Sequence, residues 1–227
     1  MSKKFLPLLL LFLLSFVSSQ AQESGLLSAD EFQKHLSKPG IQLLDVRTST
    51  EFLKGTIENA LHADWLNRKE FENRVEHLDK SKPLYIFCAS GGRSRDAATW
   101  LSKEGFNVLE MKGGTNEWRK QGKQMTERTS EKQLSIEDYR GMISLSGNVL
   151  VDFGAPWCPP CRKMEPELDR LNKDEIQVIK LDPSVHLKLA DSLMINTIPT
   201  LIYYKNGNEI GRSEGLITTR EIESRYR

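Results

Sequence analysis

The chain has 227 residues, room for one or two domains at roughly 150 residues each. Its 32 Lys and Arg nearly balance 31 Asp and Glu, and the formal charge of +1 excludes charge-driven nucleic-acid binding as a default. Fifteen glycines, nine prolines and 28% charged residues exclude collagen-like and disordered chains, and three cysteines are too few for a disulfide scaffold.

Lys3 and Lys4 precede an apolar run from Phe5 to Val17, and Ser19-Gln20-Ala21 puts small residues where a signal peptidase cuts. The pattern predicts a secretory signal over 1–21, cleaved after Ala21. The apolar run falls short of the ~20 residues of a spanning helix, although an uncleaved anchor is the competing reading. Cleavage removes two lysines and no acid, turning the formal charge to −1. The mature chain is expected in an exported compartment, the periplasm being the natural one.

Ser28 and Glu31 form a capping-box pattern at a helix start. Ile41 to Val46 and Leu84 to Phe87 read as buried strands, Ser94 to Gly105 as a helix, and Val108 to Met111 as a third strand. Arg119 to Gln133 is polar apart from Met125. It predicts a helix end near Gly122 and a linker over 123–133, with an r.m.s. span of ~20 Å if flexible. Ser135 and Asp138 repeat the helix-start pattern. Asn148 to Phe153 reads as a strand, Pro159 to Leu171 as a helix, and Ile176 to Leu181, Thr200 to Tyr204 and Glu209 to Ser213 as strands. Asn206-Gly207 signals a hairpin, and Thr218 to Tyr226 a closing helix. Strands alternating with helices predict α/β architecture in two domains, 22–122 and 134–227.

Cys88 ends an apolar strand, and Ala89-Ser90-Gly91-Gly92-Arg93-Ser94 leads into a helix. Such a loop turns N–H groups inward, and the helix N-terminus adds positive potential. Arg93 adds a fixed charge. The site suits a thiolate, a persulfide or an oxyanion. The spacing C-x4-R is one residue short of the C-x5-R phosphate cradle, which argues against a phosphatase. Asp45 and Arg47 read as a structural pair.

Cys158-Pro159-Pro160-Cys161 lies where a buried strand meets a helix. Cys158 falls at the helix N-terminus, where unpaired N–H groups favour a thiolate. Cys161, one turn on, can close a small disulfide and reads as the more buried, resolving thiol. A purely structural disulfide is the competing reading. His35, His62, His77 and His186 are scattered, and no metal site is expected. No cofactor is expected. Of the four tryptophans, Trp65, Trp100 and Trp118 read as packing residues, and Trp157 stands beside the CxxC.

Residues 149–216, with VLVDFGAPWCPPCRKMEPEL at their head, resemble thioredoxin. The resemblance implies a buried acid at Asp152 beneath the disulfide, a lysine near it at Lys180, and a cis-proline at Pro199 facing the CxxC. Trp157, Asp152, Lys180 and Pro199 would then tune the redox site and touch substrate. The chain departs at Gly154, where that family often has an aromatic, and in Pro-Pro between the cysteines. Both departures bear on redox potential and on the direction of electron flow.

Residues 28–122 resemble a rhodanese domain. Leu43-Leu44-Asp45-Val46-Arg47 with Glu51-Phe52, the loop C-A-S-G-G-R-S, and Met111-Lys112-Gly113-Gly114 with Trp118 carry the resemblance. The chain departs at Thr56, Glu58 and Asn59, where that family often has His, Pro and Gly. The resemblance implies that Cys88 takes sulfane sulfur from a donor such as thiosulfate and holds it as a persulfide. Combined, the two resemblances imply an exported sulfurtransferase and thiol–disulfide oxidoreductase. Its partners would be thiol or disulfide proteins, a sulfur donor, and a membrane or exported electron donor. An oxidase or isomerase of exported proteins fits the same residues. So does an oxidoreductase whose first domain is only a docking module.

Overall fold

A computed structural model describes residues 25–126, 133–144, 147–171 and 176–227. The expected signal over 1–21 lies outside the described residues, as do 127–132 of the expected linker. Among the described residues no helix is long and apolar enough to cross a membrane.

The first half runs β1 (Gly25–Leu27), α1 (Ala29–Leu36), β2 (Gln42–Asp45), α2 (Ser49–Leu53), β3 (Leu61–His62), α3 (Arg68–Val75), β4 (Leu84–Phe87), α4 (Gly92–Lys103), β5 (Val108–Met111) and α5 (Gly114–Lys120). The strands form one parallel sheet in the order β1-β5-β4-β2-β3. Every residue of β4 and β5 is buried, as a central parallel strand covered on both faces requires. Leu44, Ile86 and Val108 face one core, and Leu43, Tyr85, Phe87 and Leu109 the other. The Ser28 capping box forms as expected.

The second half runs α6 (Ile136–Ile143), β6 (Asn148–Phe153), α7 (Pro159–Leu171), β7 (Ile176–Leu181), α8 (Leu187–Ser192), β8 (Thr200–Lys205), β9 (Asn208–Glu214) and α9 (Thr219–Ser224). Its sheet has the order β7-β6-β8-β9, with β6 and β7 parallel and the other pairs antiparallel. On α7 the buried residues Cys161, Met164, Leu168 and Leu171 fall at helical spacing, so one stripe packs on the sheet. The Ser135 capping box also forms.

Two features were not anticipated. Residues 123–126 turn back to the first sheet. Met125 packs into its core, Lys123 Nζ reaches Asp30 at 2.5 Å, and Thr126 exchanges backbone hydrogen bonds with Thr56. The expected linker therefore starts within residues bound to the first half. In addition, the two halves share a core. Phe52 and Leu53 of α2 pack with Ala155, Trp157, Cys158, Cys161 and Ile198.

Close approach fixes one glycine. The N–H of Thr115 donates to the Cys88 carbonyl at 2.8 Å, and that of Asn116 to Ala89 at 2.9 Å, so α5 supports the cysteine loop. Gly114 (φ +58°) makes this possible, since a Cβ there would lie 2.2 Å from the Cys88 carbonyl oxygen. Gly122 also has positive φ (+71°) but open space around it. Gly114→Ala should therefore destabilise the first half by about 3 kcal/mol, from overpacking plus backbone strain. Gly122→Ala should cost about 1 kcal/mol, from strain alone. Chemical denaturation of both variants checks the difference; equal losses would mean that α5 does not support the loop.

Candidate functional site

Cys88 stands one residue beyond β4, and its loop ends at Gly91 in the left-handed conformation (φ +98°), which opens α4 at Gly92. The Cys88 side chain is fully buried. The N–H of Gly91 donates to its sulfur at 3.1 Å, and the Ser94 hydroxyl lies 3.4 Å away. Burial pushes the thiol up, but donation from Ser94 and from the N–H groups of Ser90 and Gly91 outweighs it, so the thiol ends below its ordinary value. The described loop thus brings Ser90, Gly91, Ser94 and the Arg93 side chain to the Cys88 sulfur. Ala89 serves through its backbone carbonyl, which accepts from Asn116 of α5.

Arg93 makes a bidentate pair with Glu51 of α2, at 2.6 and 2.8 Å. The Glu51 carboxylate also accepts from the backbone and hydroxyl of Thr48, closing the capping box of α2. The Arg93 guanidinium holds Glu51 down to about 2. The fixed charge expected beside Cys88 is therefore already shared with a carboxylate. Asp45 and Arg47 form the structural pair, buried and 2.6 Å apart. Thr56 donates to Asp45 at 2.8 Å, which gives this departure from the family pattern a packing role.

In the second half Cys158 and Cys161 form a disulfide with Cα atoms 5.3 Å apart. The N–H of Cys161 points at the Cys158 sulfur at 3.3 Å. The Ile198–Pro199 bond is cis, and the Ile198 carbonyl lies 3.9 Å from Cys158 Sγ, so the proline segment faces the disulfide.

Asp152 is buried on β6, and its Oδ1 has no hydrogen-bond partner among the described residues. Burial pushes its carboxyl up to about 7, against the pull of the Lys180 charge. Lys180 is the register partner of Asp152 on β7, but its ammonium turns outward to Asp169 at 2.6 Å and Glu165 at 3.6 Å. It reaches Asp152 through its field, not by contact.

The burial order of the two sulfurs differs from expectation. Cys158 is 0% exposed and Cys161 7%. Phe52 and Leu53 of the first half pack in one cluster with Trp157 and both cysteines. Trp157 packs against Phe52 at 5.3 Å and His62 at 5.8 Å between ring centroids, with the Arg74 guanidinium 5.1 Å from its ring. The N–H of His62 donates to the Trp157 carbonyl at 2.9 Å. His62 Nδ1 accepts from Arg74 and Nε2 donates to the Arg47 carbonyl, an arrangement only the neutral ring can make. Phe52, His62, Arg74 and Glu51 escaped sequence reasoning as site residues. They matter through contacts with residues far along the chain, and the only local signal was Glu51-Phe52 within a quoted motif.

Residues 28–121 match the family model "Rhodanese-like domain" and residues 130–227 match "Thioredoxin". A thioredoxin of Chlamydia pneumoniae is 40% identical over 87 residues, 37% of this chain and 84% of that protein. The chain belongs to the thioredoxin family. Ahead of its thioredoxin domain it carries a rhodanese-like domain. The chloroplastic thioredoxin Y1 of Arabidopsis thaliana is 33% identical over 102 residues, 43% of this chain and 59% of that protein. A solved rhodanese-related protein from Thermoplasma volcanium is 26% identical, with a TM-score of 0.40, covering 44% of this chain and 95% of the other. Membership supports thiol–disulfide oxidoreductase chemistry at the CPPC site.

Two predictions follow from the thioredoxin site and its cover. The folded Asp152 holds its proton between about pH 4 and 7, where the unfolded chain has lost it. Stability therefore falls as pH rises through that window. Asp152→Asn should equal wild type near pH 4 and exceed it by several kcal/mol near pH 8 in denaturant melts of the oxidised protein. A gap that does not change with pH would remove the raised carboxyl. Separately, Phe52→Ala removes roughly 1.5–3 kcal/mol of burial from the cover. It should speed reduction of the disulfide by a protein dithiol at least about tenfold, and by a small thiol far less. Equal acceleration of both would mean that Phe52 does not cover the site.

Proposed function

We propose that the chain is an exported thiol redox protein that carries sulfane sulfur on Cys88 and discharges it with the Cys158–Cys161 pair. The observation that carries the reading is the Cys88 loop, intact and surrounded by donors, with its thiol held below the ordinary value. The Lys3-Lys4 segment, the apolar run and Ser19-Gln20-Ala21 support export to the periplasm.

The Cys88 thiolate attacks the outer sulfur of a donor such as thiosulfate. The donor's sulfur–sulfur bond breaks, sulfite leaves with the electron pair, and Cys88 becomes a persulfide. The Cys158 thiolate then takes the outer sulfur, because the inner one is enclosed, and Cys88 leaves as a thiolate. Cys161 attacks Cys158 Sγ, forms the disulfide and expels hydrosulfide. The dithiol supplies two electrons and the two protons that leave as hydrogen sulfide. An exported or membrane dithiol restores the reduced pair. Both cysteines are enclosed at rest, so exchange follows separation of α2 from Trp157.

A second reading has a specific observation in its favour. The rhodanese-like half covers the CPPC site, as a non-catalytic docking module would. Intact mass of the reduced protein before and after thiosulfate or mercaptopyruvate, with peptide mapping, separates the two. Gain of one sulfur on Cys88, then its loss as Cys158 and Cys161 become a disulfide, is the expected result. Cys88→Ser should abolish the gain and leave reduction of protein disulfides intact. No gain with either donor would overturn sulfur carriage and leave the docking module.

A further inference from the structure

β5 reads Val108-Leu109-Glu110-Met111, and all four residues are buried. A carboxylate in such a strand is costly unless something uses it. Glu110 Oε1 lies 2.8 Å from the Ser94 hydroxyl, and the same hydroxyl lies 3.4 Å from Cys88 Sγ. Ser94 has one hydroxyl hydrogen and two acceptors facing it. We propose that Glu110 is a positioning residue for Cys88, its carboxylate competing with the Cys88 sulfur for the single hydrogen of Ser94. This rests on the reading of Cys88 as the sulfur carrier.

When Glu110 is ionised, the charge-assisted bond draws the hydrogen away from Cys88. The thiolate then keeps its backbone donors but loses the hydroxyl, and it gains a like charge nearby. When Glu110 is protonated, its own O–H donates to Ser94 Oγ, and Ser94 turns its hydrogen to the sulfur. The three groups thus hold one negative charge well and two badly. Burial pushes the Glu110 carboxyl up, against the hydrogen bond from Ser94. The charges bearing on Glu110 are Arg95 and Asp96 of α4, which act in opposite senses. Arg93 bears on the Cys88 sulfur through its charge and a hydrogen bond while it is paired with Glu51 of α2. Loading moves the negative charge from Cys88 Sγ to the outer sulfur.

In the oxidised chain Cys88 is the one free thiol. Its ionisation is read directly by ultraviolet thiolate absorbance against pH. Glu110→Gln should lower the midpoint by about one pH unit, a tenfold rise in thiolate below it, and Ser94→Ala should raise it by a similar amount. In the double variant the Glu110→Gln shift should shrink to a small fraction, because Ser94 transmits it. Thermal melts establish that each variant is folded. An unchanged or raised midpoint in folded Glu110→Gln overturns the proposal, as does the same shift with and without Ser94. If Glu110→Gln does not fold, Ser94→Ala decides alone, and a midpoint that fails to rise overturns it. The titration uses no sulfur donor. A chain that shows these shifts but takes no sulfur refutes the proposed function and leaves the role of Glu110 standing.

Discussion

The carboxylate of Glu51 ties the molecule together. It caps α2 through Thr48 and grips Arg93 beside the Cys88 sulfur. The next residue, Phe52, stacks on His62 at 4.5 Å and packs against Trp157 beside Cys158. A five-residue helix has too few internal hydrogen bonds to stand alone. It is held by what lies beneath. Arg47 pairs with Asp45 and donates to the Gly55 carbonyl at 2.7 Å, and Thr56 donates to the same aspartate. The buried ion pair before the helix and the threonine after it fix both of its ends. One short element therefore carries the geometry of the sulfur loop to the disulfide.

The two cysteine sites use the same local device in different chemical settings. Each sulfur stands where a buried strand hands over to a helix, and each receives a backbone N–H from three residues on, Gly91 for Cys88 and Cys161 for Cys158. At Cys88 the cradle adds a hydroxyl and two glycines, and the sulfur remains free. At Cys158 prolines occupy the first helical turn, where the missing N–H groups cost nothing, and the partner sulfur lies within reach. Backbone geometry prepares both thiols, and side chains divide their tasks.

Much of this was legible in the sequence because it is local. The capping boxes of Ser28 and Ser135, the strands at 84–87, 108–111, 148–153 and 176–181, and the helix at 159–171 appear where their patterns place them. What was hidden depends on residues far apart. The cluster around Cys158 and Trp157 includes Phe52, about a hundred positions earlier. Lys180 has the register of a partner for Asp152, yet two acidic residues of α7 lie nearer its ammonium. α2 is too short to carry a helical period, and β3, with two residues, too short for an alternation. Glu110 was visible as a charge in an apolar strand, but its meaning appears only once Ser94 is seen between it and the sulfur.

The return of residues 123–126 to Thr56 has a kinetic consequence. It shortens the tether to the stretch between Thr126 and Gln133, which even fully drawn out spans about 25 Å. A partner on so short a leash is present at its site at an effective concentration of order millimolar, whatever the dilution of the protein. A free substrate of the CPPC site meets this standing competitor. Occupancy of the site is then set by the substrate's affinity relative to the tethered half, and it does not change when the protein itself is made scarce.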